Sequence, residues 1–144
     1  MKLPSLSTAV VVALAFVVGG CATNAKQADL PANKVVVQVS DADPAKWNLA
    51  LNNAKNVQTD LGAKNVAIEI VAYGPGIGML KAESIAGNRV REAMATGIKV
   101  VACENTMTNQ KITKNDMLPG IDYVPAGVVE LMQRQQQGWA YIRP

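Results

Sequence analysis

The sequence predicts a three-layer α/β/α domain on a five-stranded parallel sheet, and three observations predict it. From Lys34 onward, short apolar runs alternate with segments whose apolar residues recur at helical spacing. The first run, Lys34 to Val39, is valine-rich on both faces, which suits a strand covered on two sides. Glycine and proline stand at the changes of period, where the chain must turn. Strands that alternate with helices pair in parallel, because each crossover carries the chain back to the same end of the sheet.

The elements follow in order. After the strand Lys34–Val39, Asp43 is placed to cap a helix and Pro44 to occupy its first position. Trp47, Ala50, Leu51, Ala54, Val57 and Leu61 form that helix's apolar stripe, and Gly62 ends it. Val66 to Ala72 reads as a second strand. A glycine-rich loop, Tyr73-Gly74-Pro75-Gly76-Ile77-Gly78, follows. A helix is expected over 85–96, with Ala86, Val90 and Ala93 inward, and Gly97 stops it. Lys99 to Ala102 forms the third strand, with Cys103 at or just past its end. A helical segment over 106–111 and a turn over 114–118 lead to Pro119-Gly120. Tyr123-Val124 is the fourth strand, and a helix over 126–137 presents Val128, Leu131 and Met132. Trp139 to Ile142 is the last strand.

Before the domain lies a different kind of sequence. Lys2 precedes an unbroken apolar run from Ala9 to Val18, and Val18-Gly19-Gly20-Cys21 closes it. A membrane-spanning helix needs about 20 apolar residues, so this run has the length of a secretory signal instead. Small residues before a cysteine resemble the lipobox of a bacterial lipoprotein, with Cys21 as the lipidated residue. An ordinary secretory signal cut near Ala22 or Ala25 is the alternative, and either one takes the chain out of the cytoplasm. The expected organisation is a signal peptide over 1–20, the lipidated cysteine and a polar tether over 21–33, and the domain over 34–144. Ala22 rather than aspartate follows the cysteine, which points to the outer membrane, facing the periplasm.

Composition excludes several chemistries. The chain has no histidine, so neither a Ser-His-Asp nor a Cys-His site is available, and no histidine metal site. No metal or cofactor is expected. Once Lys2 leaves with the signal, 13 basic side chains face 11 acidic ones, scattered along the chain. That balance is too weak for a nucleic-acid surface. With Cys21 lipidated, Cys103 has no disulfide partner within the chain. A lone thiol in an oxidising compartment is either buried or kept for chemistry.

Ligands of open α/β sheets bind beyond the carboxyl ends of the strands. Four places qualify: Ser40-Asp41, the loop from Tyr73 to Gly78, Cys103 to Thr106, and Val124-Pro125. The loop invites a phosphate-cradle reading. It follows the second strand rather than the first, however, and Pro75 removes a backbone donor, so a structural loop lining a pocket is the simpler reading. Cys103 is a candidate nucleophile if a helix starts close behind it, because a helix N-terminus stabilises a thiolate. The alternative is a small buried apolar residue. Asp41 and Glu69 are better read as solvated or capping residues than as an acid–base pair. Trp47 and Trp139 read as core or interface anchors.

Four stretches together resemble the DsrE/DsrF-like family: Lys34-Val-Val-Val-Gln-Val-Ser40, Ala72-Tyr-Gly-Pro-Gly76, Val101-Ala-Cys-Glu-Asn-Thr-Met107 and Gly120-Ile-Asp-Tyr-Val-Pro-Ala-Gly-Val-Val-Glu130. The closing Gly138-Trp-Ala-Tyr-Ile-Arg-Pro144 resembles that family's end as well. The resemblance implies the five-stranded sheet and a trimer or hexamer. Relatives in sulfur relay hold sulfur as a persulfide on a cysteine after the third strand, the place of Cys103. Asn105, Thr106, Gly74 and Gly76 are then the candidate donors around the sulfur. Those relatives act in the cytoplasm, and their segment after the cysteine is rich in alanine and arginine, unlike Glu104 to Gln110. The resulting expectation is a lipid-anchored envelope protein relaying reduced sulfur on Cys103 between donor and acceptor proteins. A non-catalytic ligand- or protein-binding module with a buried structural cysteine is the alternative.

Overall fold

The computed structural model describes residues 31–144, and the expected architecture is present. Five strands, β1 (Asn33–Val39), β2 (Val66–Ala72), β3 (Lys99–Cys103), β4 (Asp122–Val124) and β5 (Ala140–Ile142), form one sheet in the order β4-β3-β2-β1-β5. Every pairing is parallel. Four α-helices connect them: α1 (Pro44–Leu61), α2 (Gly87–Ala95), α3 (Glu104–Gln110) and α4 (Gly127–Gln136). The signal, Cys21 and tether residues 22–30 lie outside the described residues. Among the described residues, no helix is long and apolar enough to cross a membrane.

Strand order decides which face each helix covers. From β1 to β4 the chain steps across the sheet in one direction, and then β5 leaps back to the far side of β1. Parallel crossovers are right-handed, so connections stepping in opposite directions lie on opposite faces. α1, α2 and α3 accordingly pack on one face, while α4 alone crosses the other.

The first face holds most of the core. Val35, Val37 and Val39 of β1, Ile68 and Ile70 of β2, and Val100 of β3 meet Trp47, Leu51 and Ala54 of α1 and Val90 of α2. Asp43 caps α1 as expected, its Oδ1 accepting from the Ala45 N–H at 2.8 Å. Trp47 is buried, and its indole N–H donates to the Asp41 carbonyl, so it anchors the core and leaves no surface for a partner. On the second face only Val36, Val71, Val101, Val124 and Leu131 form a small cluster, flanked by Tyr73 and Trp139.

Three local expectations need correction. The glycine-rich segment is a 3-10 helix over Gly74–Leu80, and Ile77, Met79 and Leu80 sink into the core. Its hydrophobic residues, spaced among glycines, give no periodic signal. α2 begins at Gly87 rather than 85, leaving Ile85 exposed. In α4, of the three residues given as the apolar stripe, only Leu131 is buried, and Val128 and Met132 are 62% and 50% exposed. The inward side of α4 carries Gly127, Leu131 and Arg134 instead, because a buried glutamate on β2 calls for a cation there.

Candidate functional site

Cys103 ends β3 and is the residue immediately before α3. The helix starts at Glu104, two residues earlier than the sequence suggests, so its first turn wraps the cysteine. From this point α3 departs to one face of the sheet, while α4, following β4, departs to the other. Adjacent strands whose connections diverge in this way leave a crevice between them, the usual ligand position in open α/β sheets. Cys103 pairs with Val124 across that gap. It belongs to neither apolar cluster and is 5% exposed.

The environment of the sulfur is polar on one side. Burial pushes the thiol up, but hydrogen bonds outweigh it: from the Thr106 hydroxyl, then from the backbone N–H groups of Gly127, Thr106 and Asn105. The net result is a thiol held below its ordinary value. The Asn105 N–H also donates to the Pro125 carbonyl at 3.1 Å, which fits its place as the smallest of these contributions. In the neutral form the thiol itself donates weakly to Pro125 O, with Sγ at 3.9 Å. Glu104 does not oppose the thiolate, because its carboxylate pairs with Lys114 at 3.3 Å.

Thr106 links the sulfur to the glycine-rich segment. Its Oγ1 accepts from the Gly74 N–H at 2.9 Å, while Gln110 Nε2 donates to the Gly74 carbonyl at 3.2 Å. An oxygen that already accepts there has its O–H free for the sulfur. Gly76 serves packing instead: a Cβ there would stand 2.3 Å from the Val39 carbonyl oxygen, so only glycine lets this segment lie against the end of β1. Its N–H is taken by the Tyr73 carbonyl. The N–H groups of Gly74 and Gly76 are thus spent within the protein, and the phosphate-cradle reading loses both donors. Asn105 is exposed at the rim.

Pro125 was among the strand ends that the sequence singles out, and Gly127 is the member that sequence reasoning missed. A Cβ on Gly127 would come within 3.0 Å of Tyr73 Cβ and 3.3 Å of Cys103 Cβ, so glycine lets α4 start against the cysteine. A glycine as the first residue of a helix, where it costs stability, was the available signal. Asp41 and Glu69 are separate, as expected, but Glu69 is neither solvated nor a cap: it is fully buried on β2. Asp41 pairs with Lys46 and Arg143, and Glu69 with Lys99 and Arg134.

Among the described residues, no group of three or more His, Cys, Asp or Glu side chains is placed to hold a metal. Two cavities lie away from Cys103. One, of about 300 Å³, opens between α1 and α2, near Leu51, Lys55, Arg89 and Glu92. The other, of about 350 Å³, lies toward the opposite end of the sheet, near Lys34, Val57, Leu61 and Gly138.

The description of the DsrE/DsrF-like family matches residues 33–144. No curated protein matches the chain. Among solved structures, MTH1491 from Methanobacterium thermoautotrophicum, a protein of unknown function, is 36% identical, with a TM-score of 0.74 over 78% of this chain and 99% of its own. BT1422 from Bacteroides thetaiotaomicron, also of unknown function, shares 16% identity at a TM-score of 0.63, covering 78% of this chain and 95% of its own. The ychN protein of E. coli shares 13% at 0.61, covering 78% and 99%. The last two are similar in fold alone.

Proposed function

We propose, from the premise that the chain belongs to the DsrE/DsrF-like family, that it relays reduced sulfur on Cys103. The observation that carries this reading is the place of Cys103, immediately before α3 and against Gly127 at the start of α4, where neighbouring donors hold its thiol below the ordinary value. They favour a thiolate, the attacking species in sulfur exchange. The thiolate attacks the terminal sulfur of a donor persulfide R–S–SH. A new S–S bond forms at Cys103, the donor's S–S bond breaks, and R–S⁻ leaves with the electron pair. Cys103 then carries –S–SH, with no external oxidant or reductant needed. The same step run against an acceptor thiolate discharges it. Intact mass of the native protein with and without reductant tests the reading. A reductant-labile gain of one or more sulfur atoms that vanishes in Cys103→Ser is expected, and an unchanged mass after exposure to a persulfide donor rejects it.

One observation favours a second reading. Cys103 is 5% exposed, which suits a structural cysteine in a non-catalytic ligand- or protein-binding module. Iodoacetamide separates the two. Alkylation of the folded protein at neutral pH supports the carrier, whereas reaction only after denaturation supports the module.

The proposal extends to place and assembly. Val18-Gly19-Gly20-Cys21 after a short apolar run supports a lipid anchor on Cys21, facing the periplasm from the outer membrane. Cys21→Ala is expected to leave an uncleaved or soluble form, and a wild-type protein found wholly in the soluble fraction rejects the anchor. Exposed Val128, Val129 and Met132 on α4 support a homo-oligomer, a trimer or hexamer, through this helix.

A further inference from the structure

The buried side chain that the sulfur chemistry leaves unused is Glu69. It stands on β2 facing α4, is fully buried, and has one oxygen, Oε1, with no hydrogen-bond donor. Its other oxygen, Oε2, takes Arg134 Nη2 at 2.6 Å and Lys99 Nζ at 3.4 Å. A second carboxylate shares the same guanidinium: Glu130 Oε1 lies 2.9 Å from Arg134 Nε, at an angle too poor for a hydrogen bond. Glu69 and Glu130 thus meet on one guanidinium, the first at its Nη2 and the second at its Nε. One planar fork cannot align with both carboxylates. Trp139 stacks on it from outside, 4.8 Å from the ring centre, and Arg134 Nη1 is turned to Gln137.

The charged groups facing Glu69 come from β3, as Lys99, and from α4, as Arg134 and Glu130. On β1 its register partner is Val36, which is uncharged. A buried carboxylate oxygen without a donor costs free energy, and two carboxylates in contact repel. A hydrogen on Glu69 Oε1 removes both costs: it supplies the missing hydrogen bond and cancels one negative charge. We propose that Glu69 carries a proton on Oε1 beside Glu130, beneath α4, and that this proton sets how α4 seats on the sheet and so how its Gly127 N–H meets Cys103.

Burial is the largest influence on Glu69, and with the contact to Glu130 it outweighs Arg134 and Lys99, lifting the carboxyl above its ordinary value. The proton is therefore retained at a pH where free glutamate has lost it. The sign follows. The folded chain binds more protons than the unfolded one between the ordinary glutamate value and the raised one, so stability falls as pH rises through that window.

Carboxyl-carbon NMR of the protein in a Cys103→Ser background, where the thiol beside Gly127 no longer titrates, tests the proposal, and it stands whether or not Cys103 carries sulfur. The expected result is a Glu69 step above the ordinary glutamate value, with the Gly127 amide shift following that step. Glu69→Gln, whose amide imitates the protonated acid, is expected to abolish the step and flatten the Gly127 response. Should Glu69→Gln fail to fold, Glu130→Gln at the half-buried position is expected to move the remaining step down. A Glu69 carboxyl titrating at or below the ordinary value, or a Gly127 amide indifferent to its step, overturns the proposal. An ordered water donating to Oε1 of an ionised Glu69 overturns it too.

Discussion

The two faces of this sheet are built to different standards. Beneath α1, α2 and the 3-10 segment, Ile70, Ile77, Met79 and Leu80 are fully buried in one continuous apolar cluster. Beneath α4 there are few apolar residues, a buried glutamate, an arginine stacked on a tryptophan, and the cysteine. Polar and ionisable groups cost stability when buried, so they accumulate where a deep core elsewhere can offset them. The difference separates the work of holding the fold from the work of the site. The two meet at Thr106 and Gly74, where the 3-10 segment reaches around the end of the sheet to the sulfur.

Unequal truncation costs sharpen this contrast most. Leu80→Ala is expected to destabilise by about 2–5 kcal/mol, since a closed core leaves a cavity that cannot collapse. Leu131→Ala, under a single helix with room to settle, belongs at or below the low end of that range. Denaturant unfolding measures both, and equal costs break the comparison. Next in size is Gly76→Ala. The clash with the Val39 carbonyl must displace backbone, at an expected cost of about 1–3 kcal/mol. A melting temperature unchanged by this variant would contradict the close approach.

Gly127→Ala is expected to disturb the site more than the fold. The added methyl pushes α4 away from Tyr73 and Cys103 and weakens the Gly127 N–H bond to sulfur, so the thiol pKa rises. In the wild type the folded pKa is the depressed one. Cys103 therefore contributes stability at pH above the unfolded thiol value, and loses it as pH falls through the folded value. Alkylation rate against pH is expected to show a folded midpoint below that of the denatured chain, shifted upward in Gly127→Ala. Coincident midpoints would leave the donors without effect. The smallest change in stability belongs to Val128→Lys with Met132→Lys, within about 0.5 kcal/mol for exposed positions. Their expected effect is on the proposed assembly: light scattering should show a smaller mass than the wild type's, and a mass equal to the wild type's rejects α4 as its interface.

Most of the fold was legible because it rests on local signals. β2 has the expected bounds, and Asp43 with Pro44 marked the start of α1 through capping chemistry that needs no tertiary context. The inward side of α4 was illegible for the opposite reason. Val128 and Met132 fit an apolar stripe, but a glutamate on a strand 65 residues earlier turned Arg134 inward instead. The site was half legible. Cys103 could be placed at a strand end, whereas its position in the crevice depends on strand order, which no local pattern encodes. Gly127 escaped for the same reason: it lies 24 positions beyond the cysteine in sequence and comes beside it only because β4 pairs with β3.

The leap from β4 to β5 has a consequence for the chain as it is made. β1 is the first strand to be synthesised, yet one of its two neighbours is the last. Until Ala140–Ile142 has emerged, the flank of Val35–Val37 is an open edge rich in β-branched residues, ready to pair with any other strand it meets. Loss of Ala140–Ile142 would leave that edge open for the protein's lifetime. A short, half-exposed terminal strand thus acts as the closing stitch of the sheet, and its arrival marks the moment when a nascent chain stops being a hazard to its neighbours.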